Sequence, residues 1–163
     1  QVDLSRLLDQ VADLVRPRAK TRGMAIQIET PEEVPKLIGD EDQLFQVFHN
    51  LIDNGVKYGA MDTTVRIKVD VLDPMPSKDP PCIAITITDK GVGIPAEDLP
   101  RLTERFYRVD KARSRELGGT GLGLAIVKHI IGRHRGILHI DSVETKGSVF
   151  TVTLPIFRLD DVI

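Results

Sequence analysis

The sequence predicts an α/β protein, a two-layer sandwich in which a mixed β-sheet carries about three helices on one face. Two patterns lead there. Apolar residues recur at helical spacing in three long stretches and alternate as strands in five, the two kinds interleaving irregularly with strands gathered in the middle and at the end. A length of 163 residues, 41% of them apolar, also suits one domain with a proper interior.

The elements follow in order. Leu4, Leu7, Leu8, Val11, Leu14 and Val15 predict a helix over 3–22 with Asp3 as its cap, Pro17 as a kink or break and Gly23 as its stop. MAIQIET alternates as a short strand. A loop, PEEVPK, leads to LIGD, where Asp40 caps a central helix over 43–58 that ends at Gly59. Val65, Ile67, Val69 and Val71 alternate with charged residues in a strand wet on one face. DPMPSKDPP reads as a long hairpin connection, and CIAITITD as its second strand, with Cys82 as a buried, inert thiol. Pro95 opens a short helix over 95–105. Residues 107–118 lack any sustained apolar period and read as a mobile loop, after which GGTGLG opens a strongly periodic helix. ILHIDSV and SVFTVTLP, joined by ETKG, close the sheet, and 158–163 form a frayed tail behind a domain of residues 1–157.

Three places carry chemistry. On the central helix Asn50, Asn54, Lys57 and Tyr58 fall in one arc beside the core-facing arc of Leu44, Val47, Phe48, Leu51, Ile52 and Gly55. Two amides, an ammonium and a phenol thus stand where apolar packing ends, which is where a ligand would lie; a helix with a merely wide polar face fits the same pattern. At the end of CIAITITD, Asp89 is followed by Gly91 and Gly93, a turn in which backbone can approach a planar ligand and a carboxylate can accept from an exocyclic amine. A simple Asp-Gly turn would look the same. Glycines before the last helix let bare amides and the positive end of the dipole meet an anion. That segment is no P-loop, lacking the lysine-serine/threonine ending, and no Rossmann loop, since no strand leads into it.

Composition excludes several classes. A net charge of −2 gives no electrostatic case for nucleic acid or anionic membrane as a partner. One cysteine excludes a disulfide framework and a thiolate metal cluster. Without a signal-peptide pattern or a membrane-length apolar run, a cytoplasmic setting is the default. The start, QVDLSRLL, suggests a fragment of a longer protein.

Together NLIDNGVKY, DKGVGIP, RFYRVD and GGTGLGLAIVKHI resemble, in order and spacing, the asparagine, first glycine, phenylalanine and second glycine boxes of the catalytic ATP-binding domain of sensor histidine kinases. The wording LTERFYRVDKARSRELGGTGLGLAIVKHI is most similar to phosphate-regulon sensor kinases of alphaproteobacteria. The resemblance implies the Bergerat-type sandwich shared with certain chaperones, type II topoisomerases and mismatch-repair ATPases. It also implies ATP and Mg²⁺ as cofactors. Asn54 would ligate the metal, and Asn50 would orient it and its waters. Lys57 and Tyr58 would contact phosphate oxygens, and Arg108 would reach the γ-phosphate. Asp89 would accept from the adenine amine, Gly91 and Gly93 would shape the base pocket, and Ser148 would stand close to the base. Gly119, Thr120, Gly121, Leu122 and Gly123 would close over the phosphates. Two departures stand out: Gly55 where the family has alanine, and Thr103 where it has phenylalanine, leaving Phe106 to anchor the lid.

ATP hydrolases of the same fold carry a glutamate one turn before the metal asparagine. Here that place is Asn50, which cannot serve as a general base at neutral pH. This favours phosphoryl transfer to a histidine, which needs positioning and charge more than covalent help. His49, His129, His134 and His139 all lack the family's acceptor setting and read as structural or solvated. The acceptor would then lie on a separate dimerisation domain of the same homodimeric kinase, with a response regulator downstream. A non-catalytic binding module, a pseudokinase, is the second reading.

Overall fold

A computed structural model describes residues 1–73, 80–108 and 123–157. Helix α1, Leu4–Thr21, starts where the Asp3 carboxylate accepts the Arg6 N–H at 3.0 Å. Pro17 lies inside it, yet the helix runs on to Thr21. Burial of Leu7, Leu8, Val11, Ala12, Val15 and Ala19 on both sides of the proline outweighs the roughly 3 kcal/mol that an interior proline costs. Strand β1, Ala25–Glu29, follows. Helix α2, Glu41–Tyr58, begins two residues earlier than expected because Asp40 accepts from the Gln43 N–H and Glu41 and Asp42 suit the positive end of its dipole.

The remaining elements are β2, Thr64–Leu72; β3, Cys82–Asp89; helix α3, Gly123–Arg133; β4, Ile137–Val143; and β5, Gly147–Pro155. The helix expected over 95–105 is a single 3-10 turn, Leu99–Arg101. Leu102 is the buried residue of that stretch, too small an apolar face to hold a longer helix down. The tail and most of both the proline-rich connection and the expected loop lie outside the described residues.

The sheet runs β1-β2-β3-β5-β4, with β1 and β2 parallel and the other pairs antiparallel, so it is mixed as expected. Its inner face presents Val65, Ile67, Val69, Ile83, Ile85, Ile87, Phe150, Val152 and Leu154 to the helices, all buried. Its outer face carries Arg66, Lys68, Thr86, Thr88, Thr151 and His139, and is wetter. Val71 departs from the alternation and is exposed at the strand end. Cys82 is only partly buried, its thiol 3.3 Å from the Pro80 carbonyl, because it opens β3 at the sheet's margin. Helix α2 is the centre of the core: Leu44, Val47, Phe48, Leu51, Ile52 and Val56 are all within 1% of full burial, so truncating Phe48 to alanine would cost about 3–5 kcal/mol.

Candidate functional site

Across β3, β5 and β4 the inner face is apolar rung by rung: Ile85 pairs with Val152 and that with Leu138, then Ile87 with Phe150 and that with Ile140. At the next rung it turns polar. Asp89 pairs with Ser148, and Ser148 with Ser142. Asp89 is 7% exposed and Ser148 5%. The Asp89 carboxylate accepts the Gly91 N–H at 2.9 Å. Burial pushes its pKa from 3.8 up to about 6, and the backbone amides of Gly91 and Ser148 pull it partway back.

The hydroxyl of Ser142 ties this rung to both glycine turns. It accepts the Ile94 N–H at 2.8 Å, donates to the Gly147 carbonyl at 2.9 Å, and lies 2.9 Å from the Ser148 hydroxyl. Ser142 went unnoticed in the sequence because only its pairing with Ser148, set by register, gives it a place.

Helix α2 runs past the polar rung. A Cβ on Gly55 would lie 3.9 Å from that of Asp89 and 3.1 Å from Val65 Cγ1, so the glycine lets helix and sheet approach more closely than an alanine would comfortably allow. Asn50, Asn54, Lys57 and Tyr58 are half-buried along the adjoining border, as their helical spacing predicts. Among the described residues the side chains of Asn50 and Asn54 make no hydrogen bond, which leaves their amides available. Lys57 does not stand alone: its ammonium is 3.2 Å from Asp53, whose other oxygen takes the Arg18 guanidinium at 2.7 Å. The arc of amides hid Asp53, which sits between them in sequence but beside Lys57 in space.

The start of α3 meets this border. A Cβ on Gly123 would lie 3.7 Å from Asn50 Oδ1, so the helix that the second glycine box opens begins against the asparagine box. Gly119, Thr120, Gly121 and Leu122 lie outside the described residues. Arg108 is half-buried, with no ion pair among the described residues. His134, at the far end of α3, accepts the Asp40 N–H on Nε2 and bonds the Ile130 carbonyl through Nδ1, which requires the neutral ring. His49 stacks on Phe45 and is half-buried rather than exposed, since that flank of α2 is partly covered.

Gly93 adopts φ 72°, and a Cβ there would meet the Val143 carbonyl at 2.2 Å; Gly91 would likewise meet the Tyr58 carbonyl at 2.1 Å. Both glycines are thus required by neighbouring backbone. Phe106 is 64% exposed with φ 64°, its ring 5.6 Å from the Arg105 guanidinium, and the lid it is expected to anchor lies outside the described residues. Tyr107 beside it is tied to the preceding turn: its hydroxyl donates to Asp98, and Arg101 lies 4.3 Å over its ring.

A two-layer sandwich whose apolar inner face ends in a buried carboxylate, beside an amide-lined helix border and a second helix N-terminus, is the architecture of an ATPase-type nucleotide domain. The family model of histidine kinase-, DNA gyrase B- and HSP90-like ATPases matches residues 39–158, and the chain belongs to that family. Within it, the chain is a catalytic ATP-binding domain of the sensor-histidine-kinase kind. It is 44% identical over 116 residues to the sensor histidine kinase WalK of Bacillus subtilis, which covers 71% of the chain and 18% of WalK. It is 40% identical over 150 residues to the phosphate regulon sensor protein PhoR of Pseudomonas aeruginosa, 92% of the chain and 32% of PhoR. Full-length ShkA, solved in complex with AMPPNP, superposes with a TM-score of 0.78 at 28% identity over 94% of the chain and 30% of ShkA. The chain therefore spans a third or less of these proteins. A phosphate-regulon sensor is among the relatives, while these matches leave the alphaproteobacterial leaning without support.

Proposed function

We propose that the chain binds Mg-ATP and transfers the γ-phosphoryl group to a histidine on a separate dimerisation and phosphoacceptor domain. The observation that carries this reading is Asn50: an amide one turn before Asn54, beside the first residue of α3, offers hydrogen bonds to metal-bound water and phosphate but no general base. That argues against ATP hydrolysis, the other chemistry of the family. The AMPPNP complex of ShkA supports an adenine nucleotide as the ligand.

Asp89 would accept from the adenine amine, with Ser148 close to the base. Lys57, Tyr58 and Arg108 would contact phosphate oxygens, and Gly119, Thr120, Gly121, Leu122 and Gly123 would present amides to them. The residues fit a magnesium ion held mostly by the nucleotide: among the described residues no group of three or more His, Cys, Asp or Glu could hold a metal, and Asn54 offers a neutral amide oxygen. Magnesium would supply charge neutralisation of the phosphates. No helix among the described residues is long and apolar enough to cross a membrane. The reading places the domain on the cytoplasmic side of a homodimeric kinase with a response regulator downstream.

The four histidines are committed or unsupported: His134 bonds Asp40 and Ile130, His139 bonds Asp141, and among the described residues neither His49 nor His129 forms an ion pair with a carboxylate. Incubation of the chain alone with labelled ATP therefore gives no stable phosphohistidine; its appearance would overturn the reading.

A further inference from the structure

We propose that Asp53 is a positioning residue for phosphate binding: together with Arg18 it holds the Lys57 ammonium in place before a nucleotide arrives. This rests on the reading of Lys57 as a phosphate contact.

Asp53 precedes Lys57 by four residues on α2, the order in which an acid and a base meet best along a helix. Their side chains are 14% and 16% exposed, so this is no solvated surface pair whose long chain wanders. The second oxygen of Asp53 is clamped at 2.7 Å by Arg18, which reaches over from the last turn of α1. A carboxylate held by a second helix cannot follow Lys57 about; it fixes it. The charges also favour an anionic ligand. Arg18, Asp53 and Lys57 sum to one positive charge, and an ammonium with three donors spends one on Asp53 and keeps two. Without Asp53, Lys57 would have to be ordered at the cost of binding.

The test is calorimetry of the 163-residue chain with Mg-ATP and with adenosine. Asp53→Asn, nearly isosteric and neutral, is expected to weaken Mg-ATP about tenfold while leaving adenosine within about twofold. Arg18→Gln, a change on a half-exposed side chain that leaves the fold intact, shows the same selectivity at about threefold. In the Lys57→Ala background Asp53→Asn adds nothing further, since there is no ammonium left to place. Equal losses for Mg-ATP and adenosine, or full additivity with Lys57→Ala, would overturn the positioning role while leaving Lys57 as a phosphate contact. Unchanged Mg-ATP affinity in Lys57→Ala alone would instead remove the phosphate role, and the positioning role with it.

Discussion

Asp89 and Ser148 face each other across the β3–β5 ladder at the rung where the sheet's inner face changes from apolar to polar. One rung back, Ile87 and Phe150 belong to the core. The carboxylate is therefore built into the end of the core, beside the turns that Ser142 ties together.

That placement sets a pH dependence with two opposite signs. Because burial raises the native pKa from 3.8 to about 6, the folded chain holds this proton more tightly than the unfolded chain does. The resulting stability is fully present below the unfolded value and is lost as pH rises through about 6, a change of about 3 kcal/mol. Adenine binding runs the other way, since only the ionised carboxylate accepts freely from an amine. Thermal melts with and without adenosine between these limits should show the free chain losing stability while the adenosine-induced gain grows, and Asp89→Asn should flatten both trends.

Asp89→Asn also separates the base from the phosphates. If the amide oxygen keeps the Gly91 N–H, the new NH₂ faces the adenine amine as donor against donor. Affinity for ATP should fall by about tenfold or more, with inorganic triphosphate held to within about twofold. Titration with both ligands checks this, and equal losses would remove the base-reading role.

Gly91 and Gly93 are predicted to be intolerant for reasons unrelated to ligand. Alanine at either place drives Cβ against a backbone carbonyl, at Tyr58 or Val143, and position 93 adds a positive φ. Each substitution should cost about 2 kcal/mol or more in chemical denaturation of the free chain. A Gly93→Ala protein of unchanged stability but weakened ATP binding would show that the ligand, and not the neighbouring backbone, requires the glycine.

The sandwich, its three long helices, its five strands and the polar border of α2 were legible in the residues because each rests on local periodicity: Asn50, Asn54, Lys57 and Tyr58 lie on one arc wherever the helix goes. What escaped depends on contacts distant in sequence. Asp53 acquires meaning from Arg18, 35 residues away, and Ser142 from a register that no motif encodes. At Gly91 and Gly93 a sequence shows that a Cβ is missing and not which neighbouring backbone fills its place. At Pro17 a sequence leaves kink or break open, and a helix face buried along its length rules out the break, since a local propensity penalty is small against that burial.

The central claim, phosphoryl transfer from this chain to a histidine elsewhere, is tested most directly by adding labelled Mg-ATP and a separate acceptor-histidine domain of proven competence. The account predicts phosphohistidine on the acceptor, lost in Asn54→Ala. Binding of ATP without any transfer to that acceptor would contradict it and leave a nucleotide-binding module in its place.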